Sequence, residues 1–221
     1  MAVVIRRPRP EDAERIAAVH VATWRETYIN LLPEGFSTEE HSRMRRETWT
    51  RILTEQKDEW SIRVAEVDGE IIGFAMAGPA QDAAESPDLP SRTLYTLYVL
   101  RNQHGTGAGQ ALLDSTLGAG SGTGSDTDVG AAPGAEVGAE VGAGTGNGSG
   151  TEAGAGAGAG AEAEAGAAPF EGVRAEPVSL WVARQNPRAI AFYLRNGFRF
   201  DGSEQQDPGA PAITDARMVR P

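Results

Sequence analysis

Three glycines, Gly105, Gly107 and Gly109, stand close together in the segment "YVLRNQHGTGAGQALLD", between a run typical of a strand and a run typical of a helix. A strand, a glycine turn and a helix place the first helical amides at the carboxyl edge of a sheet, unpaired and at the positive end of the helix dipole. Such amides bind anions, and glycine removes the Cβ atoms that would keep a diphosphate from the backbone. The segment therefore predicts a site for a phosphorylated ligand.

Two common phosphate-binding patterns do not fit these glycines. A Walker-type loop requires a lysine after its last glycine, and no lysine lies near this segment. A dinucleotide fingerprint requires a third glycine at the position where this chain has Gln110. A tight turn from strand to helix that binds nothing is the remaining alternative.

A second pattern follows in "LWVARQNPRAIAFYLRNGFRFDG", where the spacing N-x-x-A-x-x-x-Y-x-x-x-G-F is matched by Asn186, Ala189, Tyr193, Gly197 and Phe198. Together with "HGTGAGQALL", this pattern resembles the GCN5-related N-acetyltransferase (GNAT) family. The family's acetyl-CoA loop reads [Q/R]-x-x-G-x-[G/A], and the two glycines at 107 and 109 match its last fixed positions. The chain departs from that pattern at His104, where the family usually has Gln or Arg.

The resemblance implies acetyl-CoA as co-substrate, bound in a V-shaped gap where two parallel strands, 94–99 and 177–182, separate. The pantetheine arm would pair with the backbone of Leu97, Tyr98 and Val99. An N–H group near Val99 would stabilise the oxyanion, and one such donor contributes about 3 kcal/mol. The diphosphate would lie on the backbone N–H groups of His104, Gly105, Thr106, Gly107, Ala108, Gly109 and Gln110.

The resemblance also implies roles for two side chains of the second pattern. Asn186 would hydrogen-bond to the cofactor arm, and Tyr193 would protonate the departing thiolate, since a phenol with an ordinary pKa of about 10 is neutral at neutral pH. The amine would attack the thioester directly, which agrees with a chain that has no cysteine nucleophile. Each residue also has a simpler interpretation: Asn186 as a helix cap and Tyr193 as a core residue.

No side chain is identified as the general base. Thr93 and Thr96 occupy the polar positions of the predicted central strand. Glu26 and Glu66 are candidates by reach from neighbouring elements, although surface carboxylates are the simpler interpretation. Solvent or a chain of water molecules could take the proton instead.

Aromatic and histidine side chains give weaker signals. Trp24 and Tyr28 could line an acceptor pocket, although aromatic residues on an amphipathic helix more often belong to the core. The three histidines show no metal-ligand spacing, and no metal is expected.

The elements that must position these residues follow the order β-α-α-β-β-β-α-insertion-β-α-β-β. Asp68-Gly69, between two β-rich runs, is the preferred pair of a type I′ hairpin turn. The predicted fold class is α/β (α+β), with a mixed, mostly antiparallel central sheet flanked by helices and splayed parallel strands at the cofactor site. The predicted strands are 2–7, 61–78 as a hairpin, 93–100, 177–183, 198–202 and 214–220, and the predicted helices are 10–32, 37–53, 107–117 and 186–198.

The segment 118–168 has a different composition from the rest of the chain. It holds 17 of the 28 glycines, seven acidic residues and no basic residue. It cannot bury enough apolar area to offset the entropy of ordering, so we predict a disordered, solvated insertion that spans on the order of 40 Å. The prediction is a single N-acetyltransferase domain over 1–221, interrupted at 118–168.

The composition of the chain narrows the cellular compartments and the binding partners that we expect for the protein. The net charge of −11 argues against broad nucleic-acid binding. No run approaches the roughly 20 apolar residues of a membrane span, the apolar start is too short for a signal peptide, and the absence of cysteine fits a reducing compartment. We therefore expect a cytoplasmic monomer or homodimer with no nucleic-acid or membrane partner.

Two functions remain compatible with the sequence. The first is an acyltransferase enzyme that acetylates a primary amine of a small molecule or a protein. The second is a non-catalytic acyl-CoA-binding or sensing module that uses the insertion as a partner-binding arm. The presence of both Asn186 and Tyr193 favours the enzyme.

Overall fold

Eight strands and four helices occur in the described part of the chain. A computed structural model describes residues 2–32, 39–55, 57–80, 89–118, 139–140, 176–207 and 210–221, all within one unit made of Met1–Gly142 and Ala175–Pro221. The strands are β1 (Val4–Arg6), β2 (Ser61–Val67), β3 (Glu70–Pro79), β4 (Arg92–Val99), β5 (Ala139–Glu140), β6 (Val178–Ala183), β7 (Arg199–Gln206) and β8 (Thr214–Arg220). The helices are α1 (Ala13–Tyr28), α2 (Glu39–Thr54), α3 (Ala108–Leu117) and α4 (Pro187–Arg195).

The order of these elements agrees with the predicted order, apart from the extra two-residue strand β5. The first strand is shorter than predicted, and a 3₁₀ turn at Pro10–Asp12 precedes α1. The predicted first helix ran to residue 32, but α1 ends at Tyr28. The predicted start of the second helix at residue 37, and all of the insertion except Gly118 and β5, lie outside the described residues.

The sheet is mixed and mostly antiparallel, as predicted. Its order is β1-β2-β3-β4-β6-β8-β7, and β4 and β6 form the one parallel pair among the described strands. The hairpin between β2 and β3 turns at Asp68 and Gly69, whose φ angles of 51° and 81° fit a type I′ turn. Strand β5 pairs with β4 opposite Thr96 and Leu97.

The two faces of the sheet bury separate apolar clusters, and each cluster packs under its own helices. The cluster under α3 and α4 includes Leu97, Val99, Leu112, Phe192 and Tyr193. The cluster under α1 and α2 includes Ile16, Trp24, Trp49, Phe74 and Tyr98. Side chains of β4 therefore reach both clusters, because successive residues of a strand point to opposite faces. Strand β4 is also the middle strand in the order of the sheet.

Helix α1 is fixed at its start by an ion pair with the edge strand. The guanidinium of Arg6 binds both carboxylate oxygens of Asp12, at 2.7 and 3.1 Å, and the Arg9 amide donates to the same carboxylate at 2.7 Å. The hydrogen bond from Arg6 holds the pKa of Asp12 below its usual value. In the described residues, we find no helix with the length and apolar character needed to cross a bilayer.

Candidate active site

The parallel strands β4 and β6 separate towards their carboxyl ends. They pair only over Arg92–Leu94 and Val178–Leu180, although both strands continue beyond these residues. Thr93 Oγ1 and Ser179 Oγ lie 2.9 Å apart at the closed end. Beyond that point β4 pairs with β3, and β6 pairs with β8. The separation forms the gap that the sequence predicted.

The backbone of β4 faces the gap at alternate residues. The Leu100 amide donates to the Ile72 carbonyl at 2.9 Å, which makes the two opposed residues a hydrogen-bonded pair. Because such pairs alternate along an antiparallel ladder, Tyr98 directs its backbone groups to β3, and Leu97 and Val99 direct theirs to the gap. The predicted set for the cofactor arm is therefore reduced to Leu97 and Val99. Strand β5 pairs with β4 at Leu97, so it occupies part of the β4 edge that faces the gap.

The glycine loop and the start of α3 follow β4 directly. Gly105 and Gly107 have φ angles of 84° and 89°, which place both in the left-handed region. In the part of the chain that the structure describes, the amides of Gly105, Gly107, Gly109 and Gln110 donate no hydrogen bond. The first intrahelical bond runs from Ala111 to the Gly107 carbonyl, at 3.0 Å, and the Ala108 amide has a long 3.4 Å bond to Thr106 Oγ1. The helix thus begins with a row of unpaired donors.

His104 contributes less to the predicted diphosphate site than the sequence indicated. Its amide donates to the Arg101 carbonyl at 3.2 Å, so this N–H group leaves the predicted donor set. Its ring Nε2 lies 3.1 Å from the Val99 carbonyl. Burial lowers the pKa of the imidazole, and the charge of Arg188 lowers it further. The ring is therefore neutral at pH 7 and supplies no charge to an anion.

Asn186 caps α4 and also contacts α1. Its Oδ1 accepts the Ala189 amide at 3.0 Å, which confirms the predicted helix cap. Its Nδ2 donates to the Tyr28 hydroxyl at 3.3 Å. Asn186 is buried, so both ends of its amide lie inside the protein. The predicted contact with the cofactor arm stays a prediction.

Tyr193 is buried on the face of α4 that packs against the sheet. Tyr193 is 1% exposed, and its ring contacts those of Phe192 and Phe198 at centroid distances of 5.4 and 5.5 Å. Burial raises the pKa of its phenol, and the neighbouring Tyr28 phenol raises it further. The hydroxyl is therefore protonated at neutral pH, as an acid that protonates a thiolate must be.

Tyr28 is the residue that the sequence interpretation undervalued. Its hydroxyl accepts a hydrogen bond from Asn186, and its phenol raises the pKa of Tyr193, whereas the sequence indicated only a core aromatic or a pocket wall. The contact joins positions 158 residues apart. The local signal was the spacing of four residues from Trp24, which predicts a shared helix face and no more.

An aromatic cluster under α1 supports β4 from the other face. Trp24 Nε1 donates to the Tyr98 hydroxyl at 2.7 Å, and Trp49 Nε1 donates to His20 Nδ1 at 3.1 Å. The rings of Trp24 and Tyr28 lie 5.4 Å apart, and both residues are 3% exposed. These rings belong to the core, which the sequence analysis judged the more common role.

The described residues contain no carboxylate placed as an evident base. Glu66 binds Arg6 at 2.8 Å, two strands away from β4. Glu26 is exposed and accepts the Arg101 amide at 3.1 Å, beside the glycine loop. Thr96 is buried, and its hydroxyl has no hydrogen-bond partner in the described part of the chain. Nor do any three His, Cys, Asp or Glu side chains among these residues converge on a metal site.

Comparison with known proteins agrees with this geometry. Residues 21–125 match the profile of the Acetyltransferase (GNAT) family. This chain is therefore similar to GNAT acetyltransferases over that segment. The matched segment includes the second half of α1, β4, the glycine loop and α3, whereas Asn186 and Tyr193 lie beyond it.

One curated relative of this chain is the uncharacterized N-acetyltransferase YuaI of Bacillus subtilis. The two chains are 32% identical over 118 residues. The match covers 50% of this chain and 60% of the relative, so it spans about three fifths of the relative's length.

Solved structures of acetyltransferases share the fold of this chain at low sequence identity. The PaiA N-acetyltransferase of Thermoplasma acidophilum, in complex with coenzyme A, superimposes with a TM-score of 0.59 at 17% identity and covers 100% of this chain and 99% of its own. A histone acetyltransferase HPA2-related protein of Corynebacterium glutamicum gives 0.56 at 18% identity, with 100% and 97% covered. Arabidopsis thaliana NAA60, in complex with a bisubstrate analogue, gives 0.54 at 17% identity, with 98% and 96% covered.

Proposed function

We propose that this protein is an acetyl-CoA-dependent N-acetyltransferase that acetylates a primary amine of a small molecule or a protein. The observation that carries the proposal is the row of unpaired amides at the start of α3, beside the gap between β4 and β6. Gly107 and Gly109 are buried, and backbone donors in buried residues normally have partners. A diphosphate supplies such a partner, because a helix N-terminus favours negative charge. The related PaiA structure contains coenzyme A.

The described residues divide the binding of acetyl-CoA between two places in one domain that is interrupted between α3 and β6. The amides of Gly105, Gly107, Gly109 and Gln110 bind the diphosphate, with Thr106 and Ala108 completing the turn. The gap-facing backbone of Leu97 pairs with the pantetheine arm, and the Val99 N–H faces the thioester at the end of that arm. Coenzyme A must displace β5 from the edge at Leu97 to do so.

The reaction then proceeds by direct attack. The amine nitrogen forms a bond to the thioester carbon, and the Val99 N–H stabilises the oxyanion, a contribution of about 3 kcal/mol for one donor. The C–S bond breaks with its electron pair on sulfur, and Tyr193 gives its proton to that thiolate. The amine loses its own proton to water, since neither Glu26 nor Glu66 lies in the gap.

An assay of thiol release with a panel of amines tests this function. Purified protein is mixed with acetyl-CoA, and the freed thiol is followed with a colorimetric reagent. We expect slow release without an amine and faster release with a suitable one. Tyr193→Phe should lower kcat by about 100-fold with acetyl-CoA affinity retained, because general acids contribute about 10²–10⁴-fold.

A matched control for that variant is Tyr95→Phe. The Tyr95 hydroxyl donates to the Pro79 carbonyl at 2.6 Å, on the side of β4 away from the gap, and its loss should leave kcat unchanged. If acetyl-CoA binds but no amine in the panel raises thiol release, the protein is a binding or sensing module and the proposal fails.

A further inference from the structure

Thr96 carries a buried hydroxyl on the strand that borders the gap. The residue is 5% exposed, and its Oγ1 has no hydrogen-bond partner among the described residues. A buried hydroxyl without a partner lowers the stability of the fold, because its hydrogen bonds to water are lost and nothing replaces them. Such groups are rare in native structures, and the reaction proposed above gives this one no part.

The register of β4 shows on which face of the sheet the Thr96 side chain lies. Thr96 is paired with Met76 of β3, and directly opposed residues of an antiparallel pair lie on the same face. Met76 belongs to the cluster under α1 and α2. Alternation from Leu94 alone would place Thr96 on the opposite face, but Tyr95 has no partner in β3 and acts as the extra residue of a bulge. Thr96 therefore points to the side of α1 and α2.

The cofactor and the acceptor reach the gap from different sides. Helix α3, whose first amides are proposed to bind the diphosphate, packs with α4 on the opposite face from Thr96. An acceptor that meets the thioester in the gap must then approach from the side of α1 and α2. On that side Trp181 of β6 is only partly buried, since its neighbours Leu180 and Val182 point to the other face. The displacement of β5 by coenzyme A also opens the edge of β4 at Thr96.

The position of Thr96 along β4 separates it from the reacting nitrogen. Thr96 lies three residues before Val99, a distance of about 10 Å along an extended strand. A hydroxyl that far away does not contact an amine that attacks a thioester held at Val99. It lies within reach of a second polar group on the same acceptor.

Building on the proposed acetyltransferase function, we propose that the Thr96 hydroxyl binds the acceptor through a hydrogen bond to a second polar group, remote from the reacting amine. The substrate class is then a primary amine with a hydrogen-bonding group at its far end, such as an amino alcohol or a diamine. When this acceptor binds, Thr96 gains the partner that it lacks in the free protein. A site with an otherwise unpaired polar group discriminates against an analogue that cannot pair with it.

Pairs of amines that differ in one polar group test this contact. Amino alcohols of increasing chain length are compared with the alkylamines of the same length. For the best amino alcohol, we expect a KM about fivefold below that of its alkylamine, a ratio that one hydrogen bond accounts for. In Thr96→Val the KM of the amino alcohol should rise to that of the alkylamine, with kcat and the KM for acetyl-CoA unchanged. Thr96→Ser keeps a hydroxyl and should keep the preference.

Thr93→Val is the matched control, because Thr93 lies on the same strand but its hydroxyl is paired. Its Oγ1 lies 2.9 Å from Ser179 Oγ. Without any ligand, Thr96→Val should raise the melting temperature by about 3 °C because it removes an unpaired polar atom, whereas Thr93→Val should lower it by a similar amount. Thr93→Val should also keep the preference for amino alcohols.

The outcomes separate this inference from the proposed function. Three results in an active enzyme would overturn the inference alone: an unchanged acceptor KM in Thr96→Val, a raised KM for acetyl-CoA instead, or a melting temperature below that of the wild type. The first is also the result expected of a hydroxyl that binds only water. A wild-type protein that acetylates no amine in the panel would defeat the acetyltransferase function, and this inference with it.

Discussion

Gly105 and Gly107 hold backbone conformations that side chains rarely adopt, with φ angles of 84° and 89°. The turn therefore requires glycine at these two positions whether or not a ligand binds. Gly109 differs, because it lies in the first turn of α3 and its φ is not positive. Glycine costs roughly 0.5–1 kcal/mol relative to alanine inside a helix. The backbone conformation alone accounts for glycine at positions 105 and 107. At position 109 the close approach of a ligand to the backbone is the better reason for a glycine.

A substitution at Gly105 tests the charge of the ligand at this turn. A Cβ atom at Gly105 would meet no atom within 4 Å, and Asn and Asp tolerate the left-handed conformation better than other side chains. Gly105→Asp should weaken binding of coenzyme A at least about tenfold more than Gly105→Asn, because a carboxylate there repels the diphosphate. Calorimetric titration of both variants measures the difference.

The two variants serve as controls for each other, because they match in size and in backbone strain. Each should lower the free energy of unfolding by about 1 kcal/mol. Equal affinities for coenzyme A in the two variants would mean that no anion binds beside Gly105.

Among the elements, α4 was predicted most fully from the sequence. Asn186, Pro187 and Gly197 mark its limits, and each acts through local backbone chemistry. The contacts between elements could not be predicted in the same way. The bond from Asn186 to Tyr28 and the contact between His104 and Val99 depend on how distant or irregular segments pack, which no local pattern records.

A deletion within the segment between α3 and β6 tests whether this segment contributes to the fold or to the binding of acetyl-CoA. Deleting 119–168 and joining the ends with a linker of about six residues shortens the connection between α3 and β6 about fourfold. This should raise the free energy of unfolding by about 1 kcal/mol, because each halving of a loop saves about 0.6 kcal/mol. Binding of acetyl-CoA should stay within about threefold of wild type or become tighter, since β5 also leaves the edge of β4. Thermal unfolding and calorimetry measure both effects.

A chain with a scrambled insertion of the same length is the control, and it should keep the wild-type stability. A deletion variant that does not fold, or that loses acetyl-CoA, would show that the insertion takes part in the domain.

For the whole molecule, the order of elements, the mixed sheet and the gap between β4 and β6 could be predicted from hydrophobic pattern, turn chemistry and resemblance. The gap depends on strand order, and the GNAT pattern supplied that order. Which backbone groups face the gap could not be predicted, because it depends on the register between β3 and β4. For that reason the backbone groups of Tyr98 and His104 were predicted to bind the cofactor. In the structure the Tyr98 groups face β3, and the His104 amide donates to the Arg101 carbonyl.

The central claim is that unpaired amides at the start of α3 bind the diphosphate of coenzyme A. Two-dimensional ¹⁵N amide spectra of the protein, titrated with coenzyme A and separately with pantetheine, test it most directly. We predict that the Gly105, Gly107 and Gly109 signals shift with coenzyme A and stay in place with pantetheine, which has no diphosphate. Glycine signals that stay in place while the protein binds coenzyme A would contradict the claim.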